Sequence, residues 1–193
     1  MRSKRYFVIL IIENYRMKTP LFFIFLSVVS LVSAQKKAGP IIQDYGAVFT
    51  IENPDLTLKK DQVYRVIFDV YTNPGKSDGI NPLINTVARY LNMHAQVGVP
   101  LKNMHVALVL HGSAAKDALS NQAYQKKYKA ENPNAGLISA LHEVGVDIYV
   151  CGQSYKSRGL PIEGLSSDVK LSLSALTALT AYQEKGYKII NFN

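Results

Sequence analysis

Four short apolar segments recur along the chain, with starts roughly forty residues apart, the spacing that a strand, a crossover helix and a parallel return strand need. They cover residues 63–71, 104–110, 148–150 and 187–192. The segments are apolar almost throughout, which is typical of strands buried on both faces of a sheet. We therefore predict a three-layer α/β fold, in which a mostly parallel sheet carries helices on both faces. A further extended segment is expected at 46–52.

Helices are predicted between these strands from their capping residues. Asn81 and Asn132 each precede a proline and then apolar residues at helical spacing, so each is predicted to open a helix. A last helix is expected over 166–182, and the more polar stretch 114–129 predicts one or two exposed helices. Glycine accepts the left-handed conformation that ends a helix, and one glycine separates each of three helices from the next strand: Gly98, Gly145 and Gly186.

Residues 1–34 are predicted to be an export signal. A charged start at Met17 is followed by an apolar run at 21–32 and by small residues up to Ala34. The run is short for a transmembrane helix, which needs about 20 apolar residues. We expect translation to begin at Met17 and cleavage to follow Ala34. The mature protein would then be a single domain over 35–193, either periplasmic or secreted.

The alternative to a cleaved signal is an uncleaved anchor that combines the run at 21–32 with an earlier apolar run at 7–12. Glu13, Asn14 and Arg16 lie between the two runs, and charged residues argue against one continuous span. We therefore expect contact with a membrane only through the export signal.

The formal charge of +8 does not predict nucleic-acid binding, because no compact basic run with interleaved aromatic residues is present in the sequence. The sequence also lacks a P-loop, a G-x-G-x-x-G fingerprint and a G-x-S-x-G elbow. A structural zinc site needs four ligands, and one cysteine with one histidine falls short of that. We expect no nucleic-acid partner, no cofactor and no metal.

Cys151 is the only cysteine in the chain, so an intramolecular disulfide is impossible. It directly follows a predicted buried strand and stands at the start of a predicted helix, where backbone N–H groups stabilise a thiolate. The alternative is a small buried apolar side chain, because free cysteine is among the most buried residue types. We favour a functional thiol, since ligands of such folds bind beyond the carboxyl ends of the strands.

Three loops are predicted at that carboxyl edge, at 72–80, 111–113 and 151–154. Their glycines and small polar residues allow backbone amides to approach a bound atom closely. His111 shares the edge with Cys151 and is the predicted catalytic partner, which would pair with the thiolate or move a proton to it. An ordinary hydrogen bond from His111 to a loop carbonyl is an equally good interpretation. The predicted ligand-binding residues are Gly112, Ser113, Gly152, Gln153 and Ser154.

Four stretches of the sequence carry a resemblance to a known family: YRVIFDV (64–70), VALVLHGSA (106–114), NPNAGLISALHEVGVDIYVCGQS (132–154) and ALTALTAYQEKGYKIINF (175–192). Through them, residues from about 64 to 192 resemble the DsrE/DsrF-like family. The resemblance implies a flavodoxin-like fold and homo-oligomers, often trimers or hexamers. In relatives linked to sulfur relay, a cysteine at the position of Cys151 carries a persulfide between partner proteins.

The leading functional hypothesis is therefore an exported protein that binds or transfers sulfane sulfur through a persulfide on Cys151. Such a role implies a sulfur donor or acceptor protein as partner, and it leaves open whether the protein is a sulfurtransferase or a carrier without turnover. Two alternatives remain: a non-catalytic binding or oligomeric interaction module of the same fold, and a thiol redox sensor.

Overall fold

The structure is a computed structural model, and it describes residues 36–75 and 78–192 of the 193-residue chain. The predicted export signal lies outside the described residues. Within them, one sheet contains five β-strands: β1 (Tyr64–Val70), β2 (Met104–Leu110), β3 (Asp147–Cys151), β4 (Lys170–Ser172) and β5 (Lys188–Asn191).

The sheet is parallel at every strand pair, in the order β4-β3-β2-β1-β5. From β1 the chain moves outward through β2 and β3 to β4, and it then returns to the other side of β1 as β5. Because all strands run in one direction, their carboxyl ends meet at a single edge. The predicted parallel α/β fold is confirmed, and the predicted strands at 63–71, 104–110, 148–150 and 187–192 correspond to β1, β2, β3 and β5.

Five α-helices lie between or after the strands in the described residues, and short 3₁₀ helices occur at Leu101–Asn103, Gly112–Ala118 and Ile162–Gly164. None of the helices in this part of the chain is long and apolar enough to cross a membrane. The α-helices are α1 (Pro82–Gln96), α2 (Asn121–Tyr128), α3 (Ala135–Glu143), α4 (Gly152–Ser157) and α5 (Ala175–Glu184).

Side chains of alternating direction on the strands bury both faces of the sheet. One face packs against α1 and α3, and its core includes Phe68, Leu108 and Ile148. The opposite face packs against α5, where Ala175, Ala178 and Tyr182 cover the smaller cluster that contains Ile67, Ala107, Val109 and Cys151. The three-layer arrangement predicted from the sequence is therefore confirmed, with Cys151 on the α5 face.

The start of the last helix was predicted wrongly. Residues 170–172 form the edge strand β4, and α5 begins only at Ala175. Three residues are too few to show strand alternation, so the helical spacing of the neighbouring leucines dominated the pattern. The actual helix start is set by Ser174, whose hydroxyl accepts a hydrogen bond from Thr177 N at 3.0 Å.

Two other expected elements also differ from the prediction. Residues 46–52 do not join the sheet, and only Val48 there pairs, with Lys37 in an isolated antiparallel bridge. The polar stretch at 114–129 contains the end of a 3₁₀ helix and α2, but its first part is not exposed. Ala114, Ala115 and Ala118 are buried because this 3₁₀ helix lies at the end of β2, under the neighbouring loops.

Asn92 fastens the N-terminal segment of the described chain to the domain. Its side chain is fully buried in α1. The Oδ1 atom accepts hydrogen bonds from Ile41 N (3.1 Å) and Ile42 N (2.9 Å). The Nδ2 atom donates to the carbonyl oxygens of Ile42, Tyr45 and Gly46 at 3.0–3.1 Å. A segment without regular secondary structure thus has its backbone polar groups satisfied by one side chain.

Candidate functional site

Cys151 lies at the carboxyl end of β3 and is also the N-cap residue of α4. Its side chain points to the α5 face of the sheet and is 4% exposed. The thiol is therefore almost completely enclosed in the described structure.

Hydrogen-bond donors converge on the Cys151 sulfur atom from two helices. Ser154 N donates to Sγ at 3.4 Å, which closes the first turn of α4. Burial is the largest single influence on the pKa of Cys151 and raises it. Hydrogen bonds from the Ser154 hydroxyl and from the backbone amides of Ser154, Ala175 and Gln153 lower it, and together they bring the pKa below its ordinary value. The site therefore favours the thiolate without a cationic side chain at the sulfur.

Ser154 connects the loop after β3 to the loop after β2. Its hydroxyl oxygen accepts a hydrogen bond from Gly112 N at 3.0 Å. Because that bond occupies a lone pair of the oxygen, the hydroxyl proton stays free to be donated to the Cys151 sulfur. Ser154, predicted as a ligand-binding residue, is thus placed where it orients and polarises the thiol.

Gly112 and Gly152 permit close backbone contacts that hold the two loops in place. Gly112 adopts φ +52°, and a Cβ atom there would lie 2.3 Å from Tyr71 O. At Gly152 a Cβ atom would lie 2.7 Å from Ser172 O, the oxygen of the neighbouring edge strand. Both positions require glycine, because any side chain would collide with a backbone oxygen.

His111 stands next to Cys151 across the sheet. Leu110 pairs with Val150 in the β2–β3 register, so the residues that follow them, His111 and Cys151, lie side by side at the ends of adjacent strands. No hydrogen bond joins these two side chains among the residues that the structure describes. Instead, His111 Nε2 lies 2.8 Å from Asp69 Oδ1 on β1, so the histidine contacts a carboxylate and not a loop carbonyl.

Asp69 is a site residue that the sequence analysis did not assign. It projects from β1 toward the same face as His111, and both side chains are partly exposed. The order across three adjacent strands is therefore a thiol, an imidazole and a carboxylate. Strand alternation gives the faces within one strand only, and the β1–β2 register that brings Asp69 and His111 together is not encoded in either segment of the sequence.

Three of the five predicted ligand-binding residues line cavities, whereas Gly112 and Ser154 line neither of the two described next. Gly152 and Gln153 line a cavity of about 610 Å³ beside the Cys151 loop, whose wall also includes Ser172 and Leu173. Ser113 lines a separate cavity of about 440 Å³. In the described part of the chain, no group of three or more His, Cys, Asp and Glu side chains is placed to hold a metal ion.

Comparison with known proteins identifies the fold and the family. A sequence model of the DsrE/DsrF-like family matches residues 65–192. The structure is similar to that of the ychN protein from E. coli, with 17% sequence identity, a TM-score of 0.50, and coverage of 67% of this chain and 100% of that chain. Protein MTH1491 from Methanobacterium thermoautotrophicum, described as of unknown function, is 19% identical with a TM-score of 0.49, covering 67% of this chain and 99% of that chain. No curated protein matches the sequence.

Replacement of Ser154 by alanine tests whether hydrogen bonding controls the thiol. Ser154→Ala removes the hydroxyl donor, so we expect the pKa of Cys151 to rise and its alkylation curve to move to higher pH. The measurement is the pH dependence of the alkylation rate with a small reagent such as iodoacetamide. Ser157→Ala, on the same helix, is the matched control and should leave the curve in place. An unchanged curve in Ser154→Ala would show that the backbone amides alone set the pKa.

Proposed function

Because the chain belongs to the DsrE/DsrF-like family, which is associated with sulfur relay, we propose that Cys151 carries sulfane sulfur as a persulfide. The observation that carries this proposal is the set of hydrogen bonds from Ser154, Ala175 and Gln153 that lowers the pKa of the thiol. The thiolate is the nucleophilic form of cysteine, and these hydrogen bonds favour it.

The proposed reaction is an exchange of one sulfur atom between thiolates. The Cys151 thiolate attacks the outer sulfur of a donor persulfide or polysulfide, a new S–S bond forms, and the donor leaves as a thiolate or a shortened polysulfide. In the second step an acceptor thiolate attacks the outer sulfur of the Cys151 persulfide, and the Cys151 thiolate leaves. Each step exchanges one S–S bond for another, so no external oxidant or reductant is needed.

His111 and Asp69 have a proposed role in moving the proton. The Asp69 carboxylate orients the imidazole through the 2.8 Å contact with Nε2. An imidazole in this position takes the proton of the incoming thiol or of Cys151 and returns it to the leaving group. The hydrogen bond between Asp69 and His111 leaves Nδ1 of the ring available for that transfer.

The accessibility of the Cys151 sulfur atom limits the size of the sulfur donors that can reach it. Cys151 is 4% exposed, and the cavity lined by Gly152 and Gln153 is adjacent to its loop. Gln153 is itself exposed, and its Nε2 atom makes one hydrogen bond of 3.4 Å, to Leu173 O. We propose that the donor sulfur enters from this cavity after a local displacement of the Gln153 side chain. A small sulfane species fits this route better than a folded surface.

Sulfur loading of Cys151 is the direct test of the proposal. Incubation of the folded protein with sodium polysulfide should add the mass of one sulfur atom, and dithiothreitol should remove it. The measurement is intact-protein mass spectrometry, with the site located by peptide mapping. Cys151→Ser is the control and should gain no sulfur. A folded wild-type protein that gains no sulfur mass would contradict persulfide carriage.

The same assay separates the roles of the three aligned side chains. His111→Gln and Asp69→Asn should still load sulfur but deliver it to an acceptor thiol about tenfold more slowly, because they remove proton transfer and its orientation. Equal delivery rates in wild type and His111→Gln would assign His111 a structural role.

A Cys151→Ser variant that keeps its function in cells would instead favour the non-catalytic binding module. The low exposure of the thiol disfavours a redox sensor that forms a disulfide between chains.

We further propose that a second copy of the chain packs against the apolar residues at the rim of the Cys151 cavity and leaves its Gln153 side open to the donor. Large apolar side chains are exposed there: Ile162 (53%), Leu171 (46%), Leu173 (71%) and Leu176 (78%). Three of them, all but Leu176, line the cavity itself. Covering so many leucines is favourable by about 25 cal/mol per Å² of apolar surface, and the resemblance to oligomeric relatives points to self-association.

The oligomeric state tests this surface. Size-exclusion chromatography with light scattering should show a trimer or hexamer for the wild type. Replacing both Leu173 and Leu176 by glutamate should shift the protein toward the monomer, because charges at the interface would be desolvated. Leu56→Glu is the matched control, since Leu56 is 85% exposed on the N-terminal segment. A monomeric wild type, or an equal effect of Leu56→Glu, would contradict the proposal.

Export to the periplasm or beyond remains a proposal that rests on the sequence of residues 1–34. Expression of the full chain in a Gram-negative host should yield a mature protein in the periplasmic fraction that begins at Gln35. N-terminal sequencing and intact mass measure this. Introducing Arg at Phe23 and Leu26 should disrupt the apolar run and retain the protein in the cytoplasm. Wild-type protein found only in the cytoplasm, with its N-terminal segment intact, would contradict export.

A further inference from the structure

A second cavity lies at the carboxyl edge of the sheet, and the proposed sulfur chemistry does not use it. Its volume is about 440 Å³, and loops that follow β1, β2 and β3 all contribute to its wall. In parallel α/β sheets the ligand crevice forms at this edge. The lining residues are Asn73, Ser113, Lys116, Tyr128, Ser157 and Arg158.

The hydrogen-bond donors that remain available in this cavity are mainly cationic. Ser113 donates its hydroxyl proton to Thr72 Oγ1 at 3.1 Å, and Ser157 donates its own to Ser154 O at 3.1 Å. The ammonium group of Lys116 and the guanidinium group of Arg158 take part in no ion pair among the described residues. Both groups line the cavity as positive charges, and within the described part of the chain no carboxylate lies at ion-pair distance from them.

The negative charge closest to the cavity is buried and already satisfied. Asp117 is fully buried, and its carboxylate accepts hydrogen bonds from Asn81 Nδ2 (2.8 Å) and Asn73 Nδ2 (3.1 and 3.2 Å). It therefore holds the side chain of Asn73, which lines the cavity, and makes no ion pair with Lys116 or Arg158. Counting Lys116, Arg158 and an ionised Asp117, the cavity still has an excess of positive charge.

Tyr128 supplies a flat surface next to the cations. Its ring is 41% exposed, and the Lys116 ammonium lies 5.8 Å from the ring centroid. Burial is the largest influence on the pKa of Tyr128 and raises it, while the charges of Lys116 and Arg158 act in the opposite direction. The phenol stays protonated at neutral pH and is a third donor.

From this arrangement we propose that the cavity binds a small organic oxyanion, a phosphate or sulfonate whose charged group lies between Lys116 and Arg158 and whose flat part rests on Tyr128. The guanidinium group matches two oxygens of a tetrahedral anion at once, and the ammonium group adds a point charge. The cavity is larger than an inorganic anion needs, which favours an organic ligand over free phosphate. None of the residues that line this cavity lines the cavity beside Cys151, so this site is independent of the persulfide proposal.

Phenyl phosphate and inorganic phosphate are suitable probes, measured by isothermal titration calorimetry on the full chain. Phenyl phosphate should bind with one saturable site, and inorganic phosphate should bind more weakly at the same site. Lys116→Gln and Arg158→Gln should each weaken binding of phenyl phosphate by about tenfold or more, because each removes a charged donor. Tyr128→Leu should weaken phenyl phosphate but leave inorganic phosphate nearly unchanged, which distinguishes an organic ligand from a free anion.

Matched controls separate a site from general attraction to a basic protein. Lys102→Gln and Arg65→Gln remove the same charges near the amino ends of β2 and β1, about 20 Å away along a seven-residue strand. They should change the affinity by less than about twofold, because salt screens charges at that distance. Circular dichroism confirms that each variant is folded.

Two results would overturn the proposal. One is the absence of saturable binding up to about 10 mM phenyl phosphate, far weaker than a specific site provides. The other is an equal loss of affinity in the control variants and in Lys116→Gln and Arg158→Gln. Cys151→Ser should keep full phosphate binding, so failure of this site and failure of sulfur loading are recognised separately.

Discussion

The parallel pairing of β2 with β3 is the constraint on which the thiol site depends. It aligns Leu110 with Val150, and the chain continues from both strands at the same height. The loops that follow are then close enough for Gly112 N to bond the Ser154 hydroxyl at 3.0 Å. Without that register, the hydroxyl would not be held against the sulfur of Cys151, and the imidazole of His111 would not stand beside it.

Burial raises the pKa of the Cys151 thiol, and hydrogen bonds from backbone amides lower it. Removing the sulfur from water disfavours the thiolate. The first turns of α4 and α5 stabilise the thiolate again. Gln153, Ser154 and Ala175 lie in these turns, and their N–H groups point to the Cys151 sulfur atom. A thiol enclosed in this way is protected from bulky oxidants and remains ionisable.

Most strands of the sheet could be predicted from the sequence, whereas the contacts between the side chains of the site could not. Apolar strands and glycine-terminated helices have strong local patterns, so β1, β2, β3 and β5 were predicted within a few residues. The edge strand β4 is three residues long and half exposed, and such a segment has no pattern of its own. Cys151 and His111 were assigned to one edge by topology alone. The contact of His111 with Asp69 depends on the register of strands that are distant in sequence, and no local signal encodes it.

Cys151 is the N-cap residue of α4, so a chemical change at its sulfur atom is expected to affect the stability of that helix. A sulfur atom that terminates a six-residue helix is part of the local folding equilibrium as well as a reactive group. Addition of one sulfur atom to Cys151 would move the negative charge outward, away from the backbone amides that surround Sγ. A substituent on that atom is therefore expected to alter the hydrogen-exchange protection of the first turn of α4.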